Sequence, residues 1–335
     1  MSAPPPAVPT SAPWQRSLRR AVSRIGELCE LLDLEPEELG LDEAAWRDFP
    51  LRVPRGFAAR MRRGDPHDPL LLQVLPSAAE LLPAPGFVAD PLAERRAVKA
   101  PGLLHKFAGR VLLITTGACA VHCRYCFRRH FPYAEHRPWA DGWRQALACV
   151  AGDASIREVI LSGGDPLVLD DDKLAALALA LADLGHVRRL RLHSRLPIVL
   201  PERVDDALLA WLSGTRLQPV VVIHANHPNE IDGGVRAALA RLRSAGVALL
   251  NQAVLLRRVN DDAAVLAALS ESLFAAGVLP YYLHLLDPVA GAAHFEVGET
   301  RARRLHAELA ARLPGYLLPR LVREVPGAPS KVALG

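Results

Sequence analysis

Three cysteines, Cys119, Cys123 and Cys126, form a C-x3-C-x2-C array. Soft thiolates at such spacing wrap one face of a metal centre and select zinc or an iron–sulfur cluster. A structural zinc takes four protein ligands, and His122 or His130 could supply the missing one. A cubane held by three cysteines instead leaves one iron open, which suits substrate chemistry. A second candidate is Ser162-Gly163-Gly164-Asp165-Pro166. Its glycines would let backbone atoms approach a ligand, and Asp165 could pair with an ammonium. By itself a Gly-Gly-Asp turn is most often only a tight turn. The other two cysteines, Cys29 and Cys149, sit in helical patterns and read as core or half-buried thiols.

Positioning these residues requires a regular scaffold, and the chain from about 106 onward has one. Short apolar runs at 111–116, 158–161, 188–193, 220–224, 248–254 and 280–285 alternate with helical patterns at 138–152, 171–185, 201–212, 228–245, 261–276 and 299–312. Strand then helix, repeated, predicts an α/β fold with a parallel sheet and helices outside. The polar residues fall just after the strands: Cys119, Gly163–Asp165, His193–Arg195, His224, Gln252 and Asp287. Sites in such folds lie at that end, and six ends converging on one pocket favour a curved partial barrel over an open sheet. From 14 to about 105 many prolines break a helical pattern, which reads as a lid or accessory region without a sheet, opening on one amphipathic helix over about 14–33.

Composition excludes several classes. In 335 residues, 50% hydrophobic and 23% charged, most of the chain must fold. No apolar run is long enough to cross a membrane. A net charge of +4 is too balanced to imply nucleic acid. The stretch 1–13, rich in Pro, Ala and Ser, reads as a flexible leader. Arg19-Arg20 lacks a following apolar region, so a twin-arginine export signal is not expected and the cytoplasm is. Five cysteines in a chain of this length do not look like a secreted disulfide framework.

The cysteine array resembles that of the radical S-adenosylmethionine (SAM) superfamily, and Ser162, Gly163, Gly164 and Asp165 resemble its glycine-rich segment that receives the methionine amino group. The resemblance implies a partial (β/α)6 barrel and a 4Fe–4S cluster whose open iron binds SAM, cleaved by one electron to a 5′-deoxyadenosyl radical. The electron would come from a donor such as flavodoxin or ferredoxin. Segments at Cys126–Phe131, His193–Pro197, His224–Glu230, Leu250–Arg257, Tyr281–Asp287 and Pro329–Lys331 further resemble lysine 2,3-aminomutases. That family adds pyridoxal 5′-phosphate (PLP) and moves the α-amino group of L-lysine to the β-carbon.

Carried over by position, the resemblance implies that Lys331 forms a Schiff base with PLP, so a site that lowers its pKa is expected. It implies that Lys106 and Arg110 hold the PLP phosphate and that Arg128 clasps the substrate carboxylate. Asp287 and Glu324 would take the far ammonium, and His224 and Gln252 would contact SAM. Ser194 and Arg195 would line the same cavity, with no role implied. The chain then divides into the leader 1–13, a helical region 14–105, the barrel 106–315 and a C-terminal PLP-lysine segment 316–335. The short stretch after Lys331, Glu324 where catabolic enzymes carry Asp, and the segment Gly291–Phe295 resemble the shorter bacterial enzymes that serve elongation factor P (EF-P). There (R)-β-lysine is joined to EF-P by a separate ligase. A free-lysine enzyme of catabolism or osmolyte synthesis, a radical SAM enzyme without PLP, and a non-catalytic zinc protein are the alternatives.

Overall fold

The computed structural model describes residues 12–135 and 143–335. The leader and the start of the helical pattern at 138–152 lie largely outside these residues, although Pro13 already opens a helix.

Ten strands form one sheet in chain order: β1 Val98–Ala100, β2 Leu103–Phe107, β3 Arg110–Thr116, β4 Glu158–Gly163, β5 Arg189–Ser194, β6 Gln218–Ile223, β7 Ala248–Val254, β8 Leu279–His284, β9 Arg320–Arg323 and β10 Val332–Ala333. Strands β3 to β9 run parallel, and β1 and β10 are the two edges, so the sheet is open and mixed, not a closed barrel. Each expected strand is present within a few residues, and helices Asp171–Ala182, Gly233–Ser244, Ala263–Ala275 and Glu299–Ala310 follow their strands as the apolar spacing predicts. The register places Leu113, Leu161, Leu192, Val221 and Leu249 side by side on five neighbouring strands, all buried. Their strand neighbours Leu112, Ile160 and Arg191 alternate to the opposite face and line a cavity.

Four expectations need correction. The region 14–105 is not free of sheet: β1 and most of β2 lie in it, and a boundary at 106 would cut β2. These are hairpin strands on two-residue turns whose Gly102 (φ +71°) and Gly109 (φ +73°) take the left-handed conformation glycine permits. The single helix over 14–33 is two, Pro13–Arg19 and Ile25–Leu32, because Val22 between them pairs with Val53. The patterns at 201–212 and 228–245 each begin with a separate 3-10 turn, and Asp205 and Asp232 then cap the main helix through their side chains. Cys149 is exposed, whereas Cys29 is buried as expected. One large apolar core runs from Trp14 to Leu334, so the N-terminal region and the C-terminal strands pack with the parallel strands and their helices. Among the described residues no helix is long and apolar enough to cross a membrane.

Candidate active site

The strand ends open on a cavity of about 260 Å³. Cys119, Cys123 and Cys126 line one wall, on the loop after β3. Cys126 N–H donates to the Cys123 carbonyl, turning the loop back on itself. Burial, and then the neighbouring thiols, push Cys119 up and Cys126 to about 11. A metal centre would therefore have to stabilise the thiolate forms. The loop is held from outside. Arg124, fully buried, grips Glu80 through Nε and Nη2 at 2.7 and 2.5 Å and donates to the carbonyls of Phe49 and Ala45.

This outward anchoring settles the two histidines. His122 Nδ1 meets the Pro50 carbonyl at 2.7 Å and its ring stacks on Phe49, while His130 Nε2 meets the Ala290 carbonyl at 3.1 Å. Among the described residues no three His, Cys, Asp or Glu side chains gather as ligands of a single ion, so the tetrahedral zinc site built on either histidine is not formed. Three half-buried cysteines lining one cavity fit a larger cluster with an open corner.

The glycine segment follows β4. Gly164 N–H donates to the Thr116 carbonyl and Asp165 N–H to the Ala118 carbonyl, so this turn and the start of the cysteine loop are stitched together. Gly163 has φ +128°, and a Cβ on Gly164 would lie 2.2 Å from the Ala118 carbonyl oxygen. The glycines thus make room for the cysteine loop itself. Asp165, pushed up to about 6 by burial, already accepts from Ser194 Oγ, Arg195 N–H and Leu167 N–H. An ammonium would have to share those oxygens; here the carboxylate clamps the ends of β4 and β5 together.

A chain of charges runs through other residues that line the same cavity. Arg128 binds Glu94 through Nε and Nη2 at 2.7 and 2.9 Å and reaches Ser162 Oγ with Nη1 at 3.0 Å. Glu94 also meets Lys106 at 3.3 Å, Lys106 pairs with Glu324, and Glu324 meets Lys331 Nζ at 2.6 Å. The β9–β10 hairpin pairs Arg323 with Val332, which brings Glu324 and Lys331 next to each other. Burial alone would raise Glu324, but Lys331 and Lys106 hold it down to about 2. Asp287 has the opposite fate: burial, and then the charge of Glu324, raise it to about 7. Arg110 lines the cavity with its guanidinium 4.9 Å from the Phe107 ring centre. Gln252 Nε2 lies 2.9 Å from His224 Nε2, and burial lowers His224 to about 3, so its imidazole is neutral.

Every residue to which the resemblance gives a role lines this one cavity, as does Arg195; Ser194, expected there too, does not, because it is buried with its hydroxyl turned to Asp165. Sequence reasoning missed Glu94, which sits in an irregular, proline-rich stretch where no periodicity marks it. It placed His193 among the strand-end groups without a role and gave none to His284; both line the cavity with buried, unpartnered Nε2 atoms. Burial lowers both histidines well below their ordinary pKa. Unsatisfied buried polar atoms in a cavity are what a polar ligand would complete, and the cationic Lys106 and Arg110 beside Lys331 suit a phosphorylated aldehyde.

The radical SAM superfamily model matches residues 113–268. L-lysine 2,3-aminomutase of Escherichia coli K12 is 51% identical over 97% of this chain and 95% of its own length. The Haemophilus influenzae Rd enzyme of the same name is 46% identical over 97% of this chain and 96% of its own. That of Clostridium subterminale is 32% identical over 95% of this chain but 76% of its own. With cysteine loop, glycine turn and parallel strands in one cavity, the chain belongs to the L-lysine 2,3-aminomutase family of radical SAM isomerases, which work with a 4Fe–4S cluster and SAM.

Proposed function

We propose that this protein converts L-lysine to (R)-β-lysine with PLP beside SAM, and that the product modifies EF-P. The observation that carries the reading is Lys331 in the wall of the same cavity that the three cysteines line, its Nζ held by Glu324. When bound, the cluster and SAM supply a hydrogen-abstracting radical, and PLP a carrier for the migrating amine. Cys119, Cys123 and Cys126 would hold the cluster. The turn at Ser162, Gly163, Gly164 and Asp165, with His224 and Gln252, would hold SAM. Lys106 and Arg110 would neutralise the PLP phosphate, and Lys331 would bond its aldehyde.

The ion pairs then exchange partners without leaving charge stranded. Once Lys106 faces a phosphate and Lys331 is bonded, Glu324 is released from both. With Asp287 it can receive the far ammonium of lysine, and a shorter amino acid would leave the two acids unpaired. Arg128 keeps Glu94 on Nε and Nη2 and offers Nη1 toward a substrate carboxylate. The EF-P destination is supported by Glu324 and by the resemblance to the shorter enzymes: the chain spans 95% of the E. coli relative but 76% of the clostridial one.

The test is anaerobic reconstitution with iron, sulfide, SAM, PLP, a reductant and L-lysine, with the β-lysine enantiomers resolved by chiral chromatography. The (R) form is expected; (S) alone, or no β-lysine, overturns the reading. Borohydride reduction should leave a phosphopyridoxyl mass on the peptide containing Lys331. A Lys331→Ala protein labelled equally at another lysine would reject that attachment. For EF-P, deletion of the gene should remove the β-lysyl mass from the purified factor, and an unchanged mass rejects the link.

The acid with a pKa of about 7 gives a pH prediction. Asp287 carries its charge above that value and loses it below. For an ammonium-binding group, kcat/KM for lysine should therefore fall by about tenfold per unit as the pH drops below the free-enzyme pKa. Asp287→Asn should have a lower plateau without that acid limb. A limb that survives in the variant belongs to some other group.

A further inference from the structure

Arg195 is buried beside the cysteine wall, and its role is not explained by substrate or cofactor binding. It follows β5, where Asp165 fixes its backbone N–H at 2.7 Å. Its Nη1 donates to Cys123 Sγ at 2.7 Å. Its Nη2 donates to Gln73 Oε1 at 2.6 Å and to Glu230 Oε2 at 3.2 Å. The rings of Phe57 and Tyr125 lie 5.4 and 5.7 Å from the guanidinium carbon. Glu230, with no exposed surface, is itself held by Gln73 Nε2 and by the N–H groups of Asn226 and His227. The sulfur thus faces the cation directly, and the carboxylate stands behind it on the other nitrogen.

We propose that Arg195 raises the reduction potential of the cluster by donating to Cys123, and that Glu230 holds this effect back. This rests on the reading that Cys119, Cys123 and Cys126 carry the cluster. Adding an electron to an iron–sulfur cluster adds negative charge, which a buried cation hydrogen-bonded to a ligand sulfur stabilises. A buried carboxylate on the far side of that cation opposes it. Water screens neither group, so the effect should persist at high salt. The pair sets how readily an external donor can load the electron that the reaction needs. Gln73 ties the setting to the N-terminal region, so that region contributes to the electronic environment of the site.

The test is a redox titration of the reconstituted, SAM-free holoprotein, following the reduced-cluster signal by electron paramagnetic resonance. Arg195→Gln should shift the midpoint to more negative potential, and Arg195→Lys should shift it less in the same direction. Glu230→Gln should shift it to more positive potential. A purely structural role would not move the midpoint in opposite directions. Midpoints equal to wild type in variants with full iron content overturn the inference. Should Arg195→Gln fail to take up iron, the other two variants decide. Wild-type protein that binds no iron would instead overturn the underlying cysteine assignment.

Discussion

Arg128→Met should lower stability by about 3 kcal/mol, measured by chemical denaturation, and should also raise the KM for lysine sharply. Arg128 and Glu94 are 6% and 2% exposed and joined by two short hydrogen bonds. Removing one partner of a buried ion pair leaves an uncompensated charge, at a cost of about 3–5 kcal/mol. Lys106, 3.3 Å from the same carboxylate, partly compensates and sets the expectation at the low end. Adding Glu94→Gln to Arg128→Met should recover a large part of the lost stability, because no naked charge then remains. It should not recover lysine affinity, because the guanidinium whose Nη1 faces the carboxylate is still missing. Recovery of both would show that Arg128 acts only as structure. Arg128→Lys separates charge from shape: it retains a cation for Glu94 but has no second nitrogen in the place of Nη1, so KM should remain high while stability largely returns.

Gly164→Ala should yield a folded protein that has lost most of its iron, with activity falling in proportion. The added methyl would lie 2.2 Å from the Ala118 carbonyl oxygen and 2.7 Å from its carbon. Those are backbone atoms, so no side-chain rotation relieves the clash. The loop start or the turn must move, which breaks the bond from Gly164 N–H to Thr116 or that from Asp165 N–H to Ala118. Overpacking of this kind costs about 1–3 kcal/mol, which a domain with one large core can tolerate. A three-point cluster site tolerates displacement of Cys119 far less, since thiolate ligands need near-fixed distances. Iron analysis and far-ultraviolet circular dichroism on the same sample separate the two outcomes. Full iron with normal activity would mean that the turn yields without disturbing the loop.

The cysteine spacing was enough to read a thiolate metal centre, zinc or cluster, and the alternation of apolar runs with helical stretches was enough to read the parallel strands and the strand-end position of the polar groups. Those features are local, carried by spacing and by period, and they survive whatever the rest of the chain does. Glu324 and Lys331 needed the family pattern, because nothing in a short C-terminal segment marks a lysine as lining a cavity. The partners of the site residues belong to the tertiary structure alone. Glu94 meets Arg128 across 34 positions, and Gln73 meets Arg195 across 122. No periodicity connects residues so far apart in sequence. Likewise His122 and His130, equally plausible ligands by spacing, are turned to the carbonyls of Pro50 and Ala290 by packing against segments remote from the cysteines. Spacing along the chain says which groups can share a centre, while burial and competing hydrogen bonds from distant segments decide which of them do.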